Sequence, residues 1–293
     1  MAAIVVVVAA CGTPDPPAAP VAALPPATAG VRPSKVLVVV EENHSASSAV
    51  RQMPYLAALA DAYGQSTDYR AVAHPSLPNY LAITGGSTYG ITDDNAPASH
   101  PITEADVFDN AVAAGHTAKT YAESMPAPCS REPAGRYAVK HNAWAYFADP
   151  TARDNCQRFD VPAGTTAGGP LRTDIDAGAL PTVGELIPDL CNDGHDCPLG
   201  TADNWLRQWL PVLMAGPDYR SGNLAIVVTF DEDDADSGPN TVLTTIIAPN
   251  IAHLRVDGGL THYSLSRYLA EVSGTPPLGA AAAAASLRSA FGL

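Results

Sequence analysis

The most constraining feature of this sequence is an apolar run that stops abruptly at polar residues. Residues 36–40 are all aliphatic, and Glu41, Glu42, Asn43 and His44 follow them directly. An uninterrupted run of this kind is typical of a strand buried on both faces of a parallel sheet. Ligands of α/β sheets bind beyond the carboxyl ends of the strands, so these polar residues are candidate ligands. A solvated surface loop is the open alternative, because surface carboxylates are common.

The same arrangement occurs a second time near the end of the chain. Residues 224–230 form another apolar run, and Asp231 and Glu232 follow it. If the two strands are neighbours in an α/β sheet, these two acids converge with Glu42 and Asn43 on one site. Oxygen ligands favour a divalent cation such as Mg²⁺, Ca²⁺ or Mn²⁺ over soft metals.

A candidate anion site lies in the part of the sequence between the two apolar runs. Pro75 and Pro78 flank Ser76, and residues 77–84 predict a short helix that ends at Gly85 and Gly86. Ser76 would then lie at a helix N-terminus, where free N–H groups attract an anion, although serine is also an ordinary helix cap.

Periodicity predicts further elements around these motifs. We expect helices over residues 53–63 and 105–114, strands over 117–122 and 241–248, and a mainly irregular segment over 124–178. Asp203 is expected to cap a following helix, and His262 to precede another. The alanine-rich end predicts a helix or a frayed tail.

The first thirty residues are not expected to fold with the rest. Residues 1–11 are apolar and end at Cys11, which is typical of a bacterial lipoprotein signal with a lipid anchor at this cysteine. The run is too short to span a bilayer, and no transmembrane helix is expected. A Pro- and Ala-rich tether follows, and residues 31–293 are expected to form a single domain and a monomer.

Four further cysteines indicate the compartment. Cys129, Cys156, Cys191 and Cys197 allow three pairings, and the short separation of the last two favours pairing them with each other. Disulfides fit an exported protein, either secreted or held at the cell envelope. Free buried thiols are the alternative; zinc is disfavoured because no CxxC spacing occurs.

The charge balance limits the partners. Asp and Glu number 30 against 16 Lys and Arg, which gives a net charge of −14. Binding to nucleic acid or to an anionic lipid surface is therefore disfavoured. An anionic substrate would need a metal, histidines or one of the scarce basic residues.

An ordered series of motifs resembles the bacterial phosphoesterase family, which includes secreted acid phosphatases and phospholipase C enzymes. The motifs are EENHS, HPSLPNYLAITGGS, KHNAWAYF, CNDGHDCP and TFDE followed by HYS. The short acid phosphatase branch is the most similar. The resemblance implies an alkaline phosphatase-like three-layer α/β/α sandwich with a mostly parallel sheet, and a hydroxyl nucleophile beside a divalent metal ion.

The resemblance also implies a role for individual residues. It makes Ser76 the nucleophile, and His141 and His195 the groups that contact phosphoryl oxygens or protonate the leaving group. The implied metal ligands are Glu42, Asn43, Asp231 and Glu232. Further candidates for binding the substrate are His74, Asn79, Lys140 and His262, and Lys140 would supply positive charge that an acidic protein otherwise lacks.

We therefore expect metal-dependent hydrolysis of small phosphate monoesters through a serine nucleophile. A phospholipase C-type phosphodiesterase is one alternative, and an inactive envelope lipoprotein that binds a phosphorylated ligand is another. The phospholipase branch carries a DExGGxxDH pattern, whereas this chain reads DEDDADSG without a histidine. That departure counts against the phospholipase and against a second, histidine-bound metal.

Overall fold

Strands and helices alternate along the computed structural model, which describes residues 31–234 and 238–293. The strands in it are β1 (Lys35–Glu41), β2 (Gly64–Ser66), β3 (Tyr69–Arg70), β4 (Ala118–Ala122), β5 (Asp160–Pro162), β6 (Val183–Ile187), β7 (Leu224–Phe230), β8 (Thr244–Ile247), β9 (Leu254–Val256) and β10 (Leu260–Thr261). The α-helices in it are α1 (Ala46–Gln52), α2 (Pro54–Ala62), α3 (Ser76–Gly85), α4 (Val107–Ala113), α5 (Pro150–Phe159), α6 (Pro170–Ala177), α7 (Leu199–Ala215), α8 (Pro217–Arg220), α9 (His262–Ser273) and α10 (Leu287–Phe291). Short 3₁₀ helices cover Val139–His141, Ala143–Tyr146 and Gly279–Ala283.

Eight strands form one central sheet in the order β5-β4-β6-β1-β7-β8-β2-β9, and β3 pairs with β10 separately. Within the central sheet as described, β8 pairs antiparallel with both neighbours and the other pairings are parallel. Helices α2 and α7 pack together on one side, while α4 and α9 pack against β4, β6 and β1. The result is the expected three-layer α/β/α sandwich with a mostly parallel sheet.

The register of β1 and β7 brings the two acidic strand ends together. The strands pair in parallel from Lys35 opposite Leu224 to Glu41 opposite Phe230. Glu42 follows directly after β1, and Asp231 follows directly after β7. Both apolar strands are buried along nearly their whole length, as the uninterrupted patterns predicted.

The segment 124–178 is more regular than the sequence indicated. It contains α5, α6 and β5 as well as two 3₁₀ helices. Helix α5 begins where the Asp149 side chain accepts a hydrogen bond from the Thr151 N–H, and Pro150 occupies its first turn. This local start signal outweighs the polar composition of the segment.

The prediction that Asp203 caps its own helix was wrong. Helix α7 already begins at Leu199, so Asp203 lies inside it and is buried. Its carboxylate instead accepts hydrogen bonds from the N–H groups of Tyr55 and Leu56, at 3.0 and 2.9 Å, in the first turn of α2. A carboxylate from α7 therefore caps the neighbouring helix.

The alanine-rich end divides into a 3₁₀ helix, Gly279–Ala283, and the short helix α10. Cys11 and the tether of residues 12–30 lie outside the described residues. None of the described helices combines the length and the apolar character that crossing a bilayer requires.

Both favoured disulfides are present, joining Cys129 to Cys156 and Cys191 to Cys197. The carboxyl of Asp160 lies near the first disulfide, 3.7 Å from the Cys156 sulfur. Oxidised sulfurs offer no thiolate, so this group is not a metal site.

Candidate active site

Ser76 is the first residue of α3 and is almost completely buried. Its hydroxyl donates a hydrogen bond to Glu42 Oε2 at 3.1 Å and accepts one from Lys140 Nζ at 3.3 Å. A hydroxyl held between a carboxylate and an ammonium group has a proton acceptor on one side and a positive charge on the other. This is the arrangement of an activated nucleophile.

Asn79 braces the turn that precedes Ser76. Its side-chain oxygen accepts hydrogen bonds from the N–H groups of Val72 and Ala73, both at 3.0 Å. Its amide nitrogen donates to the Ala73 carbonyl at 2.9 Å and lies 3.5 Å from Glu232 Oε2. Asn79 therefore fixes the backbone that carries the hydroxyl, and it is completely buried.

The strand ends of β1 and β7 are tied together by hydrogen bonds. The Asn43 N–H donates to Asp231 Oδ1 at 3.0 Å, and the Asn43 side chain donates to Glu42 Oε2 at 3.1 Å. Asn43 has a φ of 49°, a left-handed conformation that asparagine adopts more readily than most residues. The Glu232 N–H also donates to Asp231 Oδ1, at 2.7 Å. All four sequence-predicted metal ligands are thus brought together.

Behind Glu42 lies a buried group made of Tyr80, His141 and Asp193. The Tyr80 hydroxyl donates to Glu42 Oε1 at 2.5 Å, and its ring stacks on the His141 ring with 5.1 Å between centroids. His141 places Nε2 3.2 Å from Glu42 Oε1 and Nδ1 3.1 Å from Asp193 Oδ2. These two short contacts lack good hydrogen-bond geometry in the described residues. His141 thus lies between two carboxyl groups and away from solvent.

On the open side of Ser76, Lys140 lies among three polar groups. Its Nζ donates to Asp94 Oδ2 at 3.0 Å and lies 3.4 Å from His195 Nε2. Asp94 Oδ1 accepts a hydrogen bond from the N–H of Leu77, the residue after Ser76, at 2.9 Å. The side chain of His195 is 30% exposed, against 1% for His141, so the two predicted histidines occupy different environments.

The remaining two predicted histidines contact the Asp231–Glu232 strand end. His74 Nδ1 lies 2.8 Å from Glu232 Oε2, and His74 is exposed enough to reach solvent. His262 is completely buried, with Nε2 2.6 Å from the Asp231 carbonyl oxygen and Nδ1 3.2 Å from the Tyr69 hydroxyl. A neutral His262 makes both contacts when Nε2 donates to the carbonyl and Nδ1 accepts from the Tyr69 hydroxyl. Burial lowers its pKa to about 4, which fits that neutral form.

Burial and mutual repulsion shape the ionisation of the carboxyl groups. Burial raises the pKa of Glu42 well above its ordinary value, and the charges of Asp231 and Asp193 raise it further. Burial raises the pKa of Asp231 to about 6 although two backbone N–H groups oppose the shift. Burial and then Asp231 raise the pKa of Glu232 to about 9. Burial alone would lower the Lys140 pKa, but Glu42 and Asp94 outweigh it and raise it.

The residues present fit a divalent cation. Among the described residues, Asp231 Oδ2 and Asp193 Oδ2 are buried without a hydrogen-bond partner. Buried carboxylates are costly unless they are paired, and here several crowd together with Lys140 as the nearest positive charge. Hard oxygen donors that repel one another are suited to Mg²⁺, Ca²⁺ or Mn²⁺. Glu42, Asn43 and Asp231 can offer such donors.

Three residues of the candidate site were not predicted from the sequence. Tyr80 lies one helical turn after Ser76, so the four-residue spacing could have indicated a shared face. Asp193 belongs to the CNDGHDCP motif, in which only the histidine was singled out. Asp94 lies in an irregular segment, and its contact with Lys140 spans 46 positions, so no local signal could have found it. The roles assigned to the predicted site residues stay predictions.

Comparison with known proteins gives matches in sequence. The chain matches the Phosphoesterase family over residues 41–241. It is 30% identical over 250 residues to a phosphatidylinositol-3-phosphatase of Mycobacterium tuberculosis, covering 83% of this chain and 78% of that protein. It is 31% identical over 230 residues to a phosphate-repressible acid phosphatase of Penicillium chrysogenum, covering 73% of this chain and 52% of the fungal one. The chain thus spans about half the length of that fungal enzyme.

Solved structures support the fold. A protein of the alkaline phosphatase superfamily from Vibrio parahaemolyticus superposes with a TM-score of 0.56 at 11% identity, over 85% of this chain and 68% of that one. A sulfatase from Pseudoalteromonas sp. gives a TM-score of 0.52 at 10% identity, over 84% and 68%. At such identities the likeness establishes the architecture and not the reaction.

Proposed function

The chain belongs to the phosphoesterase family and is a phosphoric ester hydrolase, and from that premise we propose that it is an acid phosphatase that cleaves phosphate monoesters with Ser76 as the nucleophile. The observation that carries the proposal is the position of the Ser76 hydroxyl. It lies between Glu42 Oε2 and Lys140 Nζ, at the edge of the acidic strand ends. An ordinary helix cap would need neither contact.

Glu42, Asn43 and Asp231, with Glu232 beside them, would hold a divalent cation. When bound, such a cation supplies positive charge for the phosphoryl oxygens and the attacking oxygen. Its identity is part of the proposal, and the oxygen donors favour Mg²⁺, Ca²⁺ or Mn²⁺. His74, which contacts Glu232, and His262, which holds the Asp231 carbonyl, act by positioning these groups.

The first half-reaction transfers the phosphoryl group to the enzyme. Ser76 Oγ attacks phosphorus while its proton passes to solvent water, and the bond from phosphorus to the alcohol oxygen breaks. Glu42 Oε2 orients the hydroxyl through the hydrogen bond that it accepts. Lys140 Nζ, next to Oγ, stabilises the negative charge of the phosphoryl oxygens. His195 lies beside Lys140 on the open side and donates a proton to the departing alcohol. In the second half-reaction, His195 takes a proton from a water molecule that attacks phosphorus, and the bond from phosphorus to Ser76 Oγ breaks. Oγ takes a proton from solvent, and inorganic phosphate leaves.

The proposal predicts an acidic pH optimum of the rate, because a histidine must be protonated to act as the general acid. Histidines are ordinarily protonated below about pH 6.5, so the rate should be best below neutrality. His141 does not supply this proton in our proposal, because burial lowers its pKa well below the usual value and Lys140 and His195 lower it further.

Monoesters are favoured over lipid diesters. The names of the two relatives, an acid phosphatase and a phosphatidylinositol-3-phosphatase, both support cleavage of a terminal phosphate. Lys140 and His195 are donors suited to a dianion. Phosphatidylcholine should therefore be a poor substrate. The two disulfides fit a compartment outside the cytoplasm, and lipid attachment at Cys11 remains a prediction.

Replacement of Ser76 by alanine tests the proposal. Ser76→Ala should lower kcat for p-nitrophenyl phosphate by roughly a thousandfold or more, because the attacking atom is removed. Circular dichroism, thermal unfolding and metal content should stay near wild type, since a small hydroxyl is lost without a core side chain. Ser87→Ala is the matched control, because Ser87 lies just beyond the other end of α3 and its hydroxyl accepts a hydrogen bond from the Tyr89 N–H. Near wild-type turnover by Ser76→Ala would exclude the serine mechanism.

A further inference from the structure

A groove of about 380 Å³ opens beside the candidate nucleophile. Asp94, Lys140 and His195 line its inner end, and Lys140 Nζ is 3.3 Å from Ser76 Oγ. The carboxylates proposed to hold the cation lie on the other side of Ser76, at the ends of β1 and β7. A phosphoryl group seated at Ser76 would therefore have its alcohol portion within reach of the groove.

The outer walls of the groove are mainly apolar. Ala96, Pro133, Ala138, Val139 and Leu190 line it together with Tyr137. Its volume falls within the range of small-molecule sites. Apolar walls favour an alcohol portion that contains an apolar ring over one that is a polar, hydrated chain.

The charges at the inner end are already paired. Asp94 Oδ2 lies 3.0 Å from Lys140 Nζ, and Asp196 Oδ1 lies 2.7 Å from His195 Nδ1. An incoming anionic group on the alcohol would approach the Asp94 carboxylate, while Lys140 and His195 already have carboxylate partners. The protein as a whole adds to this repulsion with its net charge of −14.

We propose that this groove binds the alcohol portion of the substrate, and that Asp94 makes it selective for an uncharged alcohol with an apolar ring. The inference rests on the phosphomonoesterase activity proposed above. It names Asp94 as a specificity-determining residue, and it predicts that a second phosphate or a carboxylate on the alcohol weakens the substrate.

A matched pair of substrates tests the charge selection. The compounds 4-carbamoylphenyl phosphate and 4-carboxyphenyl phosphate have nearly the same shape and differ by one negative charge at about pH 6, above the ordinary range of carboxyl pKa values. Wild-type enzyme should prefer the amide in kcat/KM by about tenfold, as expected for like charges roughly 8 Å apart across a groove that is partly shielded from water. Asp94→Asn keeps the size and an acceptor for the Leu77 N–H, and should reduce the preference to about threefold or less.

Two further variants test where the ring binds. Ala96→Phe fills the groove and should lower kcat/KM for 4-carbamoylphenyl phosphate by about tenfold, mainly through KM, with glycerol 2-phosphate little affected. Leu190→Ser removes apolar wall without blocking the space and should raise KM for the aryl substrate in the same selective way. Ala215→Phe is the matched control, because Ala215 lines a groove of about 370 Å³ at the far end of α7.

The outcomes separate the two proposals. If the wild type does not hydrolyse 4-carbamoylphenyl phosphate, the phosphomonoesterase proposal fails. If it does, equal rates for the amide and the carboxylate, or a ratio unchanged in Asp94→Asn, overturn the selection by Asp94. Should Ala96→Phe fail to fold, Leu190→Ser decides alone, and equal losses for aryl and glycerol substrates in the folded variants overturn the placement of the ring.

Discussion

The hydroxyl of Ser76 makes two contacts of opposite charge, and each comes from a distant part of the chain. Glu42 lies 34 positions before it and Lys140 lies 64 positions after it. The Tyr80 hydroxyl donates a hydrogen bond to the other oxygen of Glu42, and the His141 ring lies in close contact with it. The carboxylate therefore cannot turn away from the serine without losing several buried contacts. These contacts distinguish Ser76 from an ordinary serine at the start of a helix and make it a candidate nucleophile.

Glu42→Gln tests the proposed cation site at the same scale. The substitution keeps the size of the side chain but removes one negative charge from the donor set, so metal affinity should fall by about tenfold or more, together with activity. Metal content after dialysis at a fixed free concentration and kcat/KM for p-nitrophenyl phosphate measure both effects. Glu104→Gln, at an exposed position, is the control. Full activity of wild-type enzyme after treatment with EDTA would contradict the cation proposal.

At the scale of elements, two helices on one face of the sheet are joined by a single buried carboxylate. Helix α2 begins after Met53, whose side chain makes no capping hydrogen bond. Asp203 of α7 supplies both acceptors instead, to Tyr55 and Leu56. The first turn of α2 is thus capped by the neighbouring helix, while buried apolar residues of α2 itself pack in the core beside β8.

Asp203→Ala should destabilise the protein by roughly 2–4 kcal/mol, because two buried N–H groups lose their acceptor. Chemical denaturation monitored by fluorescence gives the change in the free energy of unfolding. Asn204→Ala, at the exposed neighbouring position of α7, should change it little. Equal stabilities of the Asp203 and Asn204 variants would show that the cap contributes nothing.

Elements with strong local signals could be predicted, and contacts between distant segments could not. Strands β1 and β7 followed from uninterrupted apolar runs, and α3 from the prolines and glycines at its ends. Helix α5 was missed because its polar composition hid the start signal at Asp149 and Pro150. The two apolar runs, taken as neighbouring strands of an α/β sheet, predicted that the strand-end acids converge, whereas Asp94 and Asp193 depend on how loops fold back onto the sheet.

Across the whole molecule, buried carboxyl groups occur well beyond the candidate site. Glu185 on β6 is completely enclosed, opposite Val38 of β1 and Thr120 of β4. Within the described residues neither of its carboxyl oxygens has a hydrogen-bond partner. Burial raises the pKa of Glu185 to about 8, and the charge of Asp160 contributes to the shift. Asp106, at the start of α4, has its own pKa raised in part by Glu185.

The raised pKa of Glu185 predicts a protein that is more stable in acid than in mild alkali. Below its ordinary pKa of 4.5 the group is protonated in both the folded and unfolded states, so its contribution to stability is fully present. Between pH 4.5 and about 8 the unfolded chain releases the proton while the folded protein keeps it. The free energy of unfolding therefore falls by about 1.4 kcal/mol per pH unit from this group and levels off above its folded pKa.

Glu185→Gln replaces the titrating carboxyl group with an amide and so separates its effect on stability from that of the other buried acids. The variant should be close to the wild type in stability at pH 4.5 and should gain on it as the pH rises to 8, by on the order of a few kcal/mol. Chemical denaturation of both proteins at several pH values gives the difference directly. Glu132→Gln serves as the control, because that side chain is exposed and its loss should leave the curve unchanged. Parallel stability curves for Glu185→Gln and the wild type would mean that Glu185 is not a buried neutral acid.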